Sequence, residues 1–202
     1  MIAYRVLRAS LGPVLMRVWR VQVEGLERLP AGPCVLAPNH DSLTDPFFVG
    51  AAIPRPLRML GKAELFRFPL RGALRSLGAI PVARGEGDVG AIAAVVEAVR
   101  QGATVVIHPQ GTVLGPSARR WRRGAARVAL EAGVPLVPVA LVGTEDVLRP
   151  GTRRLRRAAV RVVVAEPIVV GEARTPTEDE AAALTERVRL AVEAIRGPSA
   201  GA

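Results

Sequence analysis

At 202 residues the chain is long enough for one well-cored domain, and a lone cysteine, Cys34, excludes an internal disulfide and suits a reducing compartment. The net charge of +10, carried by arginine at every basic position but Lys62, fits nucleic acid, anionic lipid or a phosphorylated substrate as partner. Two histidines and one cysteine offer no metal-ligand spacing, and Trp121 alone among the aromatic residues sits in a basic stripe, so a nucleic-acid partner is not expected.

Residues 1–20 predict an amphipathic helix. On a wheel of about 100° per residue Leu7, Leu11, Val14, Leu15 and Val18 share one face, with Arg5, Arg8, Arg17 and Arg20 around the rest. No uncharged run approaches the ~20 residues that cross a bilayer, and no cleavage site follows a signal-like core. Such a helix either lies in the interface of an anionic membrane or packs onto the domain. The first alternative implies a peripheral protein on the cytoplasmic face of the cell membrane. Apolar β-rich runs then predict strands near 18–23, 33–38, 57–60, 79–83, 103–107, 135–141 and 159–169. Helices are expected at 45–53, 69–77, 88–101, 122–132 and 177–196. In the helix at 88–101, Val89, Ile92, Val95, Val96 and Val99 line one side, and Gly102 follows its end. This alternation predicts an α/β fold in a single domain over residues 21–196. The stretch from Thr144 to Ala158 reads as a surface excursion, and 197–202 as a disordered tail.

His40 and Asp45 stand out in the segment Asn39-His40-Asp41-Ser42-Leu43-Thr44-Asp45. An imidazole titrating near neutral pH can take a proton from an alcohol and return it, provided that a carboxylate fixes its tautomer. A regular helix would bring residue 44, not 45, beneath His40, so the pair requires a turn. Pro46 favours one, since proline disfavours helical geometry in the residue before it yet fits the first position of a helix. Asp45 is therefore expected at the N-cap, with both side chains on the loop entering a buried helix. The plainer alternative is that Asp45 only caps that helix, that Ser42 and Asp45 form a capping box, and that His40 bonds a carbonyl.

Three further blocks follow in strand-then-loop contexts: Gly61-Lys62-Ala63-Glu64-Leu65-Phe66 running on to Gly78-Ala79-Ile80-Pro81-Val82-Ala83-Arg84, then Val105-Val106-Ile107-His108-Pro109-Gln110-Gly111-Thr112, then Val134-Pro135-Leu136-Val137-Pro138-Val139. With His40 to Asp45, these blocks and their order resemble the glycerolipid acyltransferases, the family of bacterial 1-acylglycerol-3-phosphate acyltransferase. The likeness extends through Trp121-Arg122-Arg123-Gly124-Ala125 and Gly143-Thr144 to Ala165-Glu166-Pro167-Ile168, covering roughly residues 30–170. The resemblance implies a mixed, mostly parallel sheet flanked by helices. It also implies transfer of a fatty acyl group from acyl-CoA or acyl carrier protein to a lysophospholipid hydroxyl, with 1-acyl-sn-glycerol-3-phosphate as the expected acceptor, giving phosphatidate, and no cofactor beyond the thioester co-substrate; the alternatives are the same chemistry on another lysolipid, or a catalytically impaired lipid-binding relative. His40 would be the general base and Asp45 its orienting carboxylate. Acceptor binding would fall to Arg84, Gln110, Gly111 and Thr112. Arg84 stands at a strand end, where a guanidinium can grip a phosphate, although a surface ion pair would explain it equally. His108 is read as packing or orienting, and Pro135 and Pro138 as shaping a strand. One departure lies in the third block, where the family commonly carries Glu-Gly-Thr-Arg and this chain has Gln110-Gly111-Thr112-Val113. Glutamine keeps hydrogen-bonding capacity without charge, and valine offers phosphate nothing. Arg119, Arg120 or Arg122 is the expected substitute for the missing guanidinium.

Overall fold

The computed structural model describes residues 2–67, 69–82, 89–113, 120–149 and 151–197. Helix α1 (Ile2–Val18) leads into β1 (Gln22–Glu24) and β2 (Val35–Pro38), followed by α2 (Asp45–Ala52) and β3 (Leu57–Lys62). After α3 (Leu70–Ser76) and β4 (Ile80–Val82) come α4 (Val89–Arg100), β5 (Thr104–Val106) and α5 (Gly124–Ala132). The chain continues through β6 (Leu136–Val142), the short α6 (Thr144–Val147), β7 (Arg161–Val164) and α7 (Glu178–Arg196). The strands form one seven-stranded sheet in the order β1-β7-β6-β2-β5-β3-β4. β6 and β7 pair antiparallel and every other pairing is parallel, so the sheet is mixed and mostly parallel, as the resemblance implied.

Side chains of successive strand residues point to opposite faces, and β2 shows how this builds three layers. Val35 and Ala37 join Val95, Val96 and Val99 of α4, Ala125 and Ala129 of α5, and Leu184 and Val188 of α7 in one core. Cys34 and Leu36 face the other way, into a second core with Tyr4 of α1 and Phe48 and Val49 of α2. Strands covered on both sides are apolar throughout rather than alternating, and all four residues of β2 are buried. Each fully buried Leu or Val contributes about 1.5–3 kcal/mol, so the centre of the sheet is the firmest part of the molecule. Helix α7 begins with a capping box between Thr177 and Glu180.

Several expected boundaries shift for local reasons. The strand expected near 18–23 starts at Gln22, because α1 runs to Val18 and ends on Arg20 in the left-handed region (φ 43) with Val21 N–H donating to Met16 O at 2.8 Å. That is the position at which glycine usually closes a helix. The run 159–169 is interrupted: β7 stops at Val164, and Ile168 rejoins Leu136 by a single bridge beyond Pro167, a residue without an N–H to donate. Part of the presumed surface excursion is internal, since Thr144 and Val147 of α6 are buried. There Gly143 (φ 85) makes the turn, and any Cβ would lie 2.3 Å from the Ala159 carbonyl oxygen. The segment expected to be a disordered tail lies, apart from Gly197, outside the described residues.

Candidate functional site

Central strand β2 ends at Pro38 with β6 on one side and β5 on the other, and the next residues are clamped to both. Asn39, fully buried, accepts from Leu141 N–H at 2.7 Å through Oδ1 and donates to Leu141 O at 2.9 Å through Nδ2, extending the ladder towards β6 by side chain alone. On the opposite side the His40 N–H donates to Gln110 Oε1, in the loop after β5. His40 thus leaves the sheet at the carboxyl ends of parallel strands, where open α/β sheets bind ligands.

The turn then closes on a single oxygen. Asp45 Oδ2 accepts from Asp41 N–H at 2.8 Å and Ser42 N–H at 2.9 Å, and lies 2.9 Å from His40 Nδ1. An oxygen receiving two amide N–H groups is an acceptor, so His40 Nδ1 carries the proton and Nε2 keeps the lone pair. Asp45 is fully buried and the His40 side chain is 13% exposed, so the carboxylate orients the ring from below while the ring meets solvent at its edge. Asp45 is the first helical residue rather than the expected N-cap. Thr44 takes the cap position without a side-chain bond, because the Asp45 carboxylate is spent on the turn before the helix instead of on the helix's own amides. Ser42, inside the turn, donates to Leu148 O at 2.9 Å and pairs with Thr44 Oγ1, so it holds the turn rather than offering a nucleophile.

The second imidazole lies directly against the first. His108 stacks on His40 with ring centroids 4.2 Å apart and planes 28° from parallel, and its Nδ1 bonds Asn39 O at 3.1 Å. Burial first, and then the neighbouring His40, push its pKa from 6.5 down to about 4, so His108 is neutral at physiological pH. His108 therefore meets the His40 ring as a neutral stacking partner.

Of the residues assigned to acceptor binding, Gln110 is buried and engaged with the His40 backbone. Gly111 sits at φ 67 and its own N–H donates to His108 O at 3.0 Å. Thr112 follows it at the half-buried edge of the loop, while Val113 is buried. Arg122 is brought to this block: its N–H donates to Pro109 O at 2.9 Å, and its Cδ and Nε pass 3.8 Å from where a Gly111 Cβ would stand. Arg84 and Arg119 lie outside the described residues, and Arg120 is exposed. The adjacent Arg123 is committed elsewhere, pairing with Glu178 at the start of α7 together with Arg127. Sequence reasoning missed three supports: Asn39, the inward use of Gln110, and Arg196, which reaches from the end of α7 to Asp41 at 2.8 Å. Asn39 abuts the motif and could have been suspected; no local signal marks Arg196. Among the described residues no cluster of His, Cys, Asp and Glu could hold a metal ion.

A mixed α/β sheet presenting a buried carboxylate and an imidazole at its strand ends defines a histidine–aspartate dyad protein of three-layer architecture. The chain belongs to the acyltransferase family: the family model described as Acyltransferase matches residues 20–142. It is 32% identical over 136 residues to a chloroplastic 1-acyl-sn-glycerol-3-phosphate acyltransferase of Brassica napus, covering 62% of this chain and 38% of that one. It is also 33% identical over 127 residues to the 1-acyl-sn-glycerol-3-phosphate acyltransferase of Pseudomonas aeruginosa, covering 60% and 49%. The chain therefore spans half or less of the length of these relatives. The Bacillus subtilis enzyme of the same name matches along 86% of both chains at 27% identity. In fold, the crystal structure of the 1-acyl-sn-glycerophosphate acyltransferase of Thermotoga maritima superposes with a TM-score of 0.71 at 22% identity, covering 93% of this chain and 78% of that one.

Proposed function

We propose that the chain is an O-acyltransferase that moves a fatty acyl group from acyl-CoA or acyl carrier protein to the free hydroxyl of a lysophospholipid, with 1-acyl-sn-glycerol-3-phosphate as acceptor and phosphatidate as product. The observation that carries this reading is the single oxygen of Asp45, which holds His40 Nδ1 and two turn amides together. His40 Nε2 takes the hydroxyl proton as the acceptor oxygen attacks the thioester carbonyl. The tetrahedral oxyanion then collapses, the carbon–sulfur bond breaks, and the leaving thiolate receives the proton from the imidazolium. An ester and a free thiol result, without a covalent enzyme intermediate or a cofactor. In this reading Arg122 takes the part of the family's arginine at the acceptor phosphate, and its passage over Gly111 supports that role.

A lipid acceptor must be drawn from a membrane, and the apolar surface fits that need. Leu7, Leu11, Val14 and Val18 of α1 remain exposed, as do Leu43 within the catalytic turn and Phe47 just beyond it. Among the described residues no helix is long and apolar enough to cross a membrane, and the reading is of a peripheral protein on an anionic, cytoplasm-facing surface. The purified chain, given radiolabelled acyl-CoA or acyl carrier protein and a panel of lysolipid acceptors, is expected to label phosphatidate most rapidly. Preferential labelling of another lysolipid would move the acceptor assignment, and transfer to none would contradict the reading.

A further inference from the structure

Where α1 meets the segment before β7, a recess of about 720 Å³ is walled by Arg17, Val18, Arg20, Arg157, Ala158 and Ala159. We propose that this recess binds the headgroup of an anionic phospholipid in the bilayer, separately from the acceptor at His40.

The two walls are fixed to each other. Trp19 Nε1 donates to Arg156 O at 2.8 Å, Val160 N–H donates to Trp19 O at 3.2 Å, and the Trp19 ring packs edge-on against Phe48. The guanidiniums of Arg17, Arg20 and Arg157 are exposed, and among the described residues none pairs with a carboxylate. Three unneutralised cations around one concavity call for an anion, and a guanidinium fork suits the oxygens of a phosphodiester.

The surroundings say which anion. Leu7, Leu11, Val14 and Val18 fall within about 60° of one another on α1, all exposed, and the row ends at Val18 in the recess wall. Leu155, two residues before Arg157 in the run Arg153-Arg154-Leu155-Arg156-Arg157, is also exposed. A cationic recess continuous with an apolar row matches a headgroup joined to its acyl chains. Nucleic acid would want aromatic stacking faces, and no aromatic side chain lines the recess among the described residues. Arg20 supplies an independent sign: it occupies a left-handed helix end where glycine is unstrained, so the guanidinium stands there against local backbone preference. The segment also ties the recess to the catalytic turn, because Val147 O accepts from Arg156 N–H at 2.8 Å and the neighbouring Leu148 O accepts from Ser42 Oγ. A lipid seated in the recess would set the dyad at the membrane surface.

The proposal rests on the membrane-surface part of the functional reading, and flotation with vesicles tests it without turnover. Vesicles of phosphatidylcholine alone and with phosphatidylglycerol are compared for the wild type, for R17Q/R20Q/R157Q, and for the charge-matched R71Q/R75Q/R187Q. The recess variant should lose about fivefold in affinity for the anionic vesicles per guanidinium, on the order of a hundredfold in all. The control should lose far less, and transfer to a detergent-dispersed acceptor should be unchanged in both. R20G alone should bind vesicles more weakly while melting no lower than the wild type, which a purely structural role for Arg20 would not produce. Equal losses in recess variant and control would show net charge rather than a site and overturn the proposal. So would an unaffected recess variant, a detergent rate that falls with binding, or a wild type indifferent to phosphatidylglycerol, the last removing the membrane-surface reading as well.

Discussion

The two halves of the candidate site are built in opposite ways. On the proton-transfer side, Asn39, Gln110, Asp45 and the stacked His108 fix His40 through its backbone, its ring nitrogen and its ring face, with buried groups donated by both strands beside β2. On the acceptor side the described residues present one exposed guanidinium, Arg122, over a glycine. Proton transfer needs an imidazole held to within a fraction of an ångström, and that precision requires a rigid and dry environment. Recognition of a phosphate tolerates a long side chain at the surface. Removing the buried polar groups that hold the turn, Asn39, Gln110 and Asp45, should therefore damage turnover and stability together, and substitutions on the second side should change acceptor affinity alone.

The largest expected effect that breaks the first half comes from Asp45. D45N keeps the shape but allows the wrong tautomer of His40, and should lower kcat on the order of 10²- to 10⁴-fold with little change in acceptor KM. D45A, by orphaning two turn amides, should also lower stability by several kcal/mol in urea titration, at about 1–3 kcal/mol for each unpaired buried donor. Q110A and N39A come next. Each removes a buried partner of the turn and should cost about 1–3 kcal/mol of stability with a lesser fall in kcat, whereas Q110E, which retains an oxygen for the His40 N–H, should preserve more activity than Q110A. R122Q sharpens the second half: acceptor KM should rise on the order of tenfold, with kcat and melting temperature near wild type, since one charge-assisted contact is worth about 1.5–3 kcal/mol. A fall in kcat at constant KM would remove Arg122 from acceptor binding.

The smallest effect concerns pH. His108 has a folded pKa of about 4 against 6.5 unperturbed, so between those values the unfolded chain binds a proton that the folded chain refuses. Stability is full above 6.5 and is lost as pH falls through that window, by about 2 kcal/mol between pH 7 and pH 5. H108F keeps an aromatic ring against His40 and should flatten this part of the dependence while leaving turnover at neutral pH largely intact. An unchanged acid slope would deny His108 its part in it.

Much of the fold was legible because its signals are local. Apolar β-rich runs located the strands, and helical periodicity located the helices between them. The dyad was legible as well, since a turn of five residues with Pro46 behind it has few ways to close. What could not be read was who holds the turn. The bond from Gln110 to His40 spans 70 positions and that between Asn39 and Leu141 spans 102, and both exist only because β5 and β6 happen to flank β2. The same ignorance of strand order hid the bond from the His40 N–H to Gln110, and Asp45 looked like a cap although its carboxylate faces the preceding turn. Tertiary structure also divides the basic stripe around Trp121, with Arg122 turned over Gly111 and Arg123 taken by Glu178.

The central claim is that His40 removes the proton from the acceptor hydroxyl. The direct test is the rate of acyl transfer from labelled acyl-CoA or acyl carrier protein to 1-acyl-sn-glycerol-3-phosphate by the wild type and by H40A, with circular dichroism confirming a common fold. The account predicts turnover by the wild type and a loss on the order of 10²- to 10⁴-fold in H40A with the spectrum unchanged. Transfer by folded H40A at the wild-type rate would contradict it.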